Sequence, residues 1–285
     1  MPKHEAYISS VANPRVKEWS KLTERKYRER EGKFLLEGIH LVKEALQAEW
    51  PLLHVAYDAG AGIPDELAPW AEDGFGTAVG GVTAGPSWVP VSPEVIARCS
   101  QAETPQPVFA VAEKRRLAAD KLFDADAGLV AVLDGVQDPG NVGTIVRGAA
   151  ASGATAVVLG RGTADLYNAK TLRASMGALF HVPVVEGDLT ELLPAARERG
   201  MRVVGTSLQA AHSCYEYDFR RGVWLVFGSE GSGLSTAVSE HVHDNVIIPM
   251  TGRAESLNVA MAATVLLFEV QRQRLRAGIA GIPGN

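Results

Sequence analysis

The sequence predicts an α/β protein of two domains, with a mostly parallel sheet in the C-terminal one and a smaller α/β domain before it. Three observations lead there. The chain has 285 residues, 46% hydrophobic and 21% charged, an ordinary globular composition with enough length for two cores. From Leu129 onward, short apolar runs without polar alternation are separated by helical segments, which is how strands covered on both faces by crossover helices read. Residues 113–126 are charged and alanine-rich with no strand pattern, so they read as a linker between a domain over 1–112 and one over 127–285.

Residues 14–31 carry helical charge spacing, with Lys, Arg and Glu three and four apart. Phe34–Leu36 then reads as a short strand leading through Glu37 and Gly38 into an amphipathic helix over Ile39–Ala48, a βα unit. Pro51–Tyr57 reads as a second strand, and Ala59–Pro90 as glycine- and proline-rich loop. Ser92 and Pro93 suit the cap and first position of a short helix, and Pro107–Ala112 is an apolar strand. In the second domain the predicted strands are Leu129–Leu133, Ala156–Leu159, Val182–Val185, Arg202–Gly205, Val223–Phe227 and Asn245–Ile248. Between and after them lie helices over Val142–Ser152, Asn168–Leu179, Leu189–Arg199 and Leu257–Arg276. Ligands of such sheets bind beyond the carboxyl ends of the strands.

Composition narrows the function classes. No run approaches the ~18 apolar residues of a membrane span, and the first residues lack the apolar core of a signal peptide, so a cytoplasmic protein is expected. Cys99 and Cys214 are far apart in sequence with no CxxC spacing, which fits two packing residues rather than a disulfide or thiolate metal site. His241 and His243 are spaced to share a strand face but lack a third ligand, so no metal is expected. The net charge of −5 gives no global attraction for nucleic acid. Locally, Pro14–Lys33 holds eight basic residues against four acidic ones, either a solvated helix face or an RNA contact.

Three polar segments stand at strand ends. Asp134-Gly-Val-Gln-Asp-Pro-Gly-Asn141-Val-Gly143-Thr-Ile-Val-Arg147 leads from a strand into a helix. Gly228-Ser-Glu230-Gly231-Ser-Gly233-Leu-Ser235 is a glycine loop after a strand, and Ile248-Pro-Met-Thr-Gly252-Arg-Ala-Glu-Ser256-Leu257-Asn258-Val feeds the last helix. Arg147 offers a planar donor fork suited to phosphate, with a surface ion pair to Asp138 as the plainer alternative. Ser256 and Asn258 suit a helix cap or a ligand contact. The glycine loop reads GxxGxG late in its domain, whereas a dinucleotide fingerprint reads GxGxxG on the first βα turn. Neither a GxxxxGK[ST] phosphate loop nor a GxSxG elbow occurs, which argues against NTPases and α/β-hydrolases.

In their order and spacing these segments resemble the signature motifs of the SpoU (TrmH-like) family of RNA 2′-O-ribose methyltransferases, of the SPOUT class. An Asn-x-Gly-x-Ile-x-Arg core runs from Asn141 to Arg147, Gly-x-Glu-x-x-Gly-Leu-Ser from Gly228 to Ser235, and Ile-Pro-Met-x-Gly-x-x-x-Ser-Leu-Asn-Val from Ile248 to Val259. Upstream, Phe34 to Leu46 is similar to the opening of the family's N-terminal RNA-binding domain. The resemblance implies S-adenosylmethionine as methyl donor and a deep trefoil knot in the C-terminal sheet, a threading that general topology rules disfavour. It places Asn141, Arg147, Glu230 and Asn258 at catalytic positions, with Ser256 orienting Arg147. It places the cofactor on Thr206, Ser207, Leu208, Gly228, Ile248, Met250, Ser256 and Leu257. It further implies a homodimer and an RNA substrate, with ribosomal RNA favoured over tRNA because a full N-terminal domain is present. The alternatives are a tRNA methyltransferase of the same fold and a SAM- or RNA-binding module without turnover; a dehydrogenase is the more distant reading.

Overall fold

A computed structural model describes residues 5–72, 85–115, 117, 119–123, 128–253 and 255–279. The chain begins with α1 (Pro14–Lys21), α2 (Arg25–Glu31), β1 (Lys33–Glu37), α3 (Ile39–Gln47) and β2 (Leu52–Asp58). It continues through α4 (Ala68–Glu72), β3 (Ser87–Val91), α5 (Pro93–Cys99) and β4 (Val108–Glu113). Then come β5 (Leu129–Asp134), α6 (Pro139–Ala151), β6 (Ala156–Leu159), α7 (Ala169–Ser175), β7 (Val184–Glu186) and α8 (Leu189–Glu198). The last elements are β8 (Arg202–Thr206), β9 (His212–Ser213), β10 (Val223–Gly228), α9 (Thr236–Ser239), β11 (Asp244–Ile247) and α10 (Val259–Arg276).

Contacts divide the chain into two units, Met1–Arg115 with Tyr167–Phe180, and Arg116–Leu166 with His181–Asn285. The first unit holds a mixed sheet of order β1-β4-β2-β3, antiparallel except for β2 and β3. Its core joins Val16 and Trp19 of α1 to Val95 and Ile96 of α5 and to Phe109 and Val111 of β4. The segment holding α7 belongs to this unit although sequence places it in the second half. Phe34 packs on Tyr167 with ring centroids 4.5 Å apart, Trp50 packs on Phe180 at 5.1 Å, and the Lys114 ammonium lies 4.8 Å from the Tyr167 ring.

The second unit holds a seven-stranded sheet of order β7-β6-β5-β10-β8-β11-β9, every pairing parallel. Every residue of β5, β6 and β10 is buried, which is why these strands read as unbroken apolar runs. On one face Val130, Val132, Val158, Trp224 and Val226 pack against Leu189, Leu193 and Ala196 of α8. α10 packs against α6 and the central strands. A Cβ added at Gly148 would stand 3.2 Å from the Thr264 hydroxyl, so this small residue sets how closely the two helices approach.

Several expectations change in detail. The helical stretch over 14–31 is two helices, because Leu22 turns inward to the core while Glu24 takes an extended backbone with φ −99° and ψ 134°. Ser92 stands at the cap of α5 but gives its hydroxyl to the Ser9 carbonyl instead. The 168–179 helix stops at Met176, left-handed at φ 51°, and a short 3-10 turn follows over Ala178–Phe180. His241 and His243 precede β11 rather than sharing a strand face, and the His243 Nδ1 accepts the Val203 amide. The glycine-rich loop and the linker fall partly outside the described residues, at 73–84 and at 116, 118 and 124–127. Cys99 and Cys214 are both buried, and burial pushes their thiols up to about 12 and about 11. Among the described residues no helix is long and apolar enough to cross a membrane.

Candidate active site

The three polar loops leave the carboxyl ends of β5, β10 and β11 in the second unit. After β5 the chain turns at Gly135, with φ +68°, and α6 opens where the Asp138 carboxylate accepts the Asn141 amide at 3.0 Å. Pro139 occupies the first turn, so the Asn141 side chain is fixed at a helix start. After β10 the loop closes on itself, with Ser229 and Gly233 exchanging both backbone hydrogen bonds at 3.0 Å. A Cβ at position 228 would stand 2.1 Å from the Gly233 carbonyl carbon, so the close return of this backbone requires glycine. The Asp134 carboxylate accepts the Ser235 amide at 2.6 Å and ties this loop to the end of β5. After β11 the chain reaches α10, capped by Asn258, whose Oδ1 accepts from Ala260 N at 2.9 Å and Met261 N at 3.3 Å.

One side-chain relay crosses the three loops. Asn258 Nδ2 donates to Asn141 Oδ1 at 3.0 Å, and Asn141 Nδ2 donates to Glu230 Oε1 at 2.7 Å. Because Asn258 Oδ1 is committed to the cap, its amide orientation is fixed, and it fixes that of Asn141 in turn. Burial raises the Glu230 carboxyl, but the Asn141 amide and the backbone N–H groups of 230, 137 and 138 outweigh it and hold the group below its ordinary value. Glu230 is therefore an anion at neutral pH, suited to orienting donors rather than to giving up a proton.

Beside the relay lies a cavity of about 380 Å³, a size typical of small-molecule sites. Thr206, Ser207 and Leu208 line it from the end of β8, and Gly228 and Glu230 from the end of β10. Ile248, Met250, Ser256, Leu257 and Asn258 line it from the segment after β11. The structure thus gathers all eight expected cofactor positions around one space, with Glu230 and Asn258 at its edge and Asn141 bonded to both. It does not bring Arg147 into that relay: Arg147 is exposed on α6, six residues and ~9 Å along the axis from Asn141. Asp138 serves as the helix cap, and among the described residues no ion pair engages Arg147 and no hydrogen bond joins it to Ser256.

The sequence reading missed part of the wall. Val259, Ala262 and Leu266 line the cavity from one face of α10, and Val246 and Ile247 from β11. The spacing 259, 262, 266 is a helical stripe, a signal present in the sequence but equally expected of core packing. The walls are mostly aliphatic, and the polar groups sit at strand ends, a chemistry that fits a nucleoside with an apolar ring and polar edges.

The comparisons with known proteins agree with this geometry. The family model described as SpoU rRNA Methylase family matches residues 128–268, and one described as MRM3-like substrate binding domain matches 13–110. The chain is 37% identical over 264 residues to the Bacillus subtilis 23S rRNA (guanosine(2553)-2′-O)-methyltransferase RlmP, covering 93% of this chain and 98% of that protein. It is 32% identical over 279 residues to a Streptomyces viridochromogenes 23S rRNA (uridine(2479)-2′-O)-methyltransferase, covering 95% of this chain and 94% of the other. Among solved structures it resembles the SpoU methyltransferase AviRb of Streptomyces viridochromogenes in complex with the cofactor AdoMet, with a TM-score of 0.82 and 30% identity over 92% of this chain and 98% of that one. An AdoMet-bound rRNA methyltransferase from Sinorhizobium meliloti gives a TM-score of 0.81 at 31% identity, over 94% and 97% of the two chains. Similarity that spans both units at this identity, together with motif loops converging on one cavity, makes the chain a member of the SpoU rRNA methylase family.

Proposed function

We propose that this protein transfers a methyl group from S-adenosylmethionine to a ribose 2′-hydroxyl of ribosomal RNA. The observation that carries the reading is the convergence of three strand-end loops on one nucleoside-sized cavity with the Asn258–Asn141–Glu230 relay at its edge. When bound, S-adenosylmethionine would supply an electrophilic methyl on a sulfonium: the ribose 2′-oxygen would bond to that methyl as the methyl–sulfur bond breaks, with S-adenosylhomocysteine as leaving group and the hydroxyl proton passing to solvent. Thr206, Ser207, Leu208, Gly228, Ile248, Met250, Ser256 and Leu257 hold that cofactor, largely through backbone groups and aliphatic contact. Asn141 and Asn258, locked by the relay, position the ribose, so alignment supplies much of the rate. A guanidinium is a poor proton acceptor, so the role given to Arg147 is that of a donor fork that holds the target phosphate and stabilises charge developing on the ribose oxygen. If Arg147→Ala kept near-normal turnover at saturating RNA, its role would be binding alone.

The C-terminal domain over 127–285 carries the chemistry, and the domain over 1–112, joined through 113–126, holds the RNA. The match of 13–110 to a substrate-binding domain supports this division. Likeness across the whole chain to SpoU methyltransferase structures supports a deep trefoil knot in the second unit. A homodimer is supported by the outer face of the last helix and its lead-in: Met261, Phe268 and Leu275 recur every seven residues, and they and Leu257 are exposed. Action on ribosomal RNA supports a cytoplasmic location.

The test is transfer of labelled methyl from S-adenosylmethionine to unmodified ribosomal RNA and to tRNA in parallel. Label in ribosomal RNA supports the reading. Label in tRNA alone keeps the chemistry and overturns the substrate, and cofactor binding without transfer to either overturns the activity.

A further inference from the structure

The corner between α1 and α2 presents three cations around one tyrosine. Arg28 is buried at 4% exposure, and its Nη1 donates to the carbonyls of Leu22 at 2.8 Å and Thr23 at 2.7 Å. That guanidinium locks the turn and brings Lys21, from the end of α1, to the ring of Tyr27 on α2. The Lys21 ammonium lies 5.6 Å from the ring centroid, Lys26 4.7 Å, and the Arg30 guanidinium 4.8 Å. Tyr27, Lys21, Arg30, Lys33 and His54 line a cleft of about 250 Å³, with the carboxylates of Glu18 and Glu31 also on its wall. Glu24 pairs with Lys26 and Glu31 with Arg30, whereas no carboxylate pairs with Lys21 or Lys33 among the described residues.

With Lys26 and Arg30 each beside a carboxylate, Lys21 and Lys33 are the cations at this cleft with charge left over for an external anion. A half-exposed aromatic ring at the centre adds a stacking face. An anion with a flat π-face is a nucleotide, and a row of cations beyond one ring suits a strand rather than a single unit. We propose that Tyr27 is a stacking platform for an unpaired base of the RNA substrate, with Lys21, Arg30 and Lys33 contacting the flanking phosphates. This rests on the reading of the protein as an RNA methyltransferase and names where, on its first unit, single-stranded RNA is held.

The experiment uses the full chain and measures anisotropy of a labelled single-stranded ribosomal RNA fragment at several salt concentrations. Labelled-methyl transfer and S-adenosylmethionine binding are measured alongside. Tyr27→Phe keeps the ring and should bind within about twofold of the wild type. Tyr27→Leu keeps bulk without a π-face and should weaken binding about 5- to 150-fold, the range found for loss of one stacked base. Lys21→Gln with Lys33→Gln should lower the salt slope by about 0.7 per lost contact. All variants should bind S-adenosylmethionine as the wild type does and recover turnover at saturating RNA. Equal RNA affinity for wild type and Tyr27→Leu overturns the platform while active wild type keeps the methyltransferase reading. RNA binding that depends on Tyr27 without methyl transfer in any variant keeps the platform and overturns that reading. A free nucleoside monophosphate competing as well as the RNA strand overturns the RNA assignment.

Discussion

Asn258 serves the helix through its oxygen and the relay through its nitrogen, and substitution separates the two. Asn258→Ala removes both and should cost about 1 kcal/mol of stability, the usual value of a lost cap. Asn258→Asp keeps an acceptor for Ala260 N and Met261 N but loses the donor to Asn141. Thermal unfolding of that variant should match the wild type while single-turnover methyl transfer falls about 10²-fold, as expected when a positioning contact is lost; full activity would remove the relay from the mechanism. Gly228 gives a second test at this scale. Its Cβ-bearing variant Gly228→Ala collides with the Gly233 backbone, so calorimetry should show S-adenosylmethionine affinity reduced by more than about tenfold. Unchanged affinity would take the β10 loop out of the cofactor site. Glu230, held below its ordinary value of 4.5, contributes fully above that pH and loses its contribution as pH falls through its lowered value, so it adds no limb to a rate profile between pH 6 and 9.

At the scale of elements, β2 carries a pH-dependent stability that the sequence did not signal. Burial, then the neighbouring Arg15 and Lys33 charges, hold the His54 imidazole below its ordinary 6.5 against an opposing pull from Glu5. The unfolded chain binds a proton that the folded chain refuses, so this stability is complete above pH 6.5 and is lost as pH falls through the lowered value. Denaturant midpoints at pH 5 and 7.5 should differ for the wild type and differ less for His54→Gln. Strands β5, β6 and β10 were legible because parallel strands buried on both faces are uniformly apolar. β9, only two residues long, and α9, of four, carry too few residues for any period to show. α7 was legible as a helix, with Asn168 as its cap, but not as part of the first unit. That assignment rests on Phe34 meeting Tyr167 and Glu37 meeting Arg173, pairs more than a hundred residues apart that local pattern cannot reveal. The relay had the same limit: the sequence supplied Asn141, Glu230 and Asn258, while their order of donation came from the cap at α10.

For the whole molecule, the exposed stripe of Met261 and Phe268 on α10 bears on assembly. Light scattering at micromolar concentration should give twice the chain mass, and Met261→Asp with Phe268→Asp should give the monomer; a monomeric wild type would contradict the dimer. Acidic overall charge with a local basic corner predicts RNA binding that weakens steeply with salt rather than a general affinity for polyanions. The central claim is chemical, and it is met most directly by nucleoside mass spectrometry of ribosomal RNA incubated with the protein and S-adenosylmethionine. The account predicts one 2′-O-methylated nucleoside at a single alkali-resistant linkage, formed by the wild type and not detectably by Asn141→Ala. Methylation on a base, or no methyl in RNA while the cofactor is bound, would contradict it.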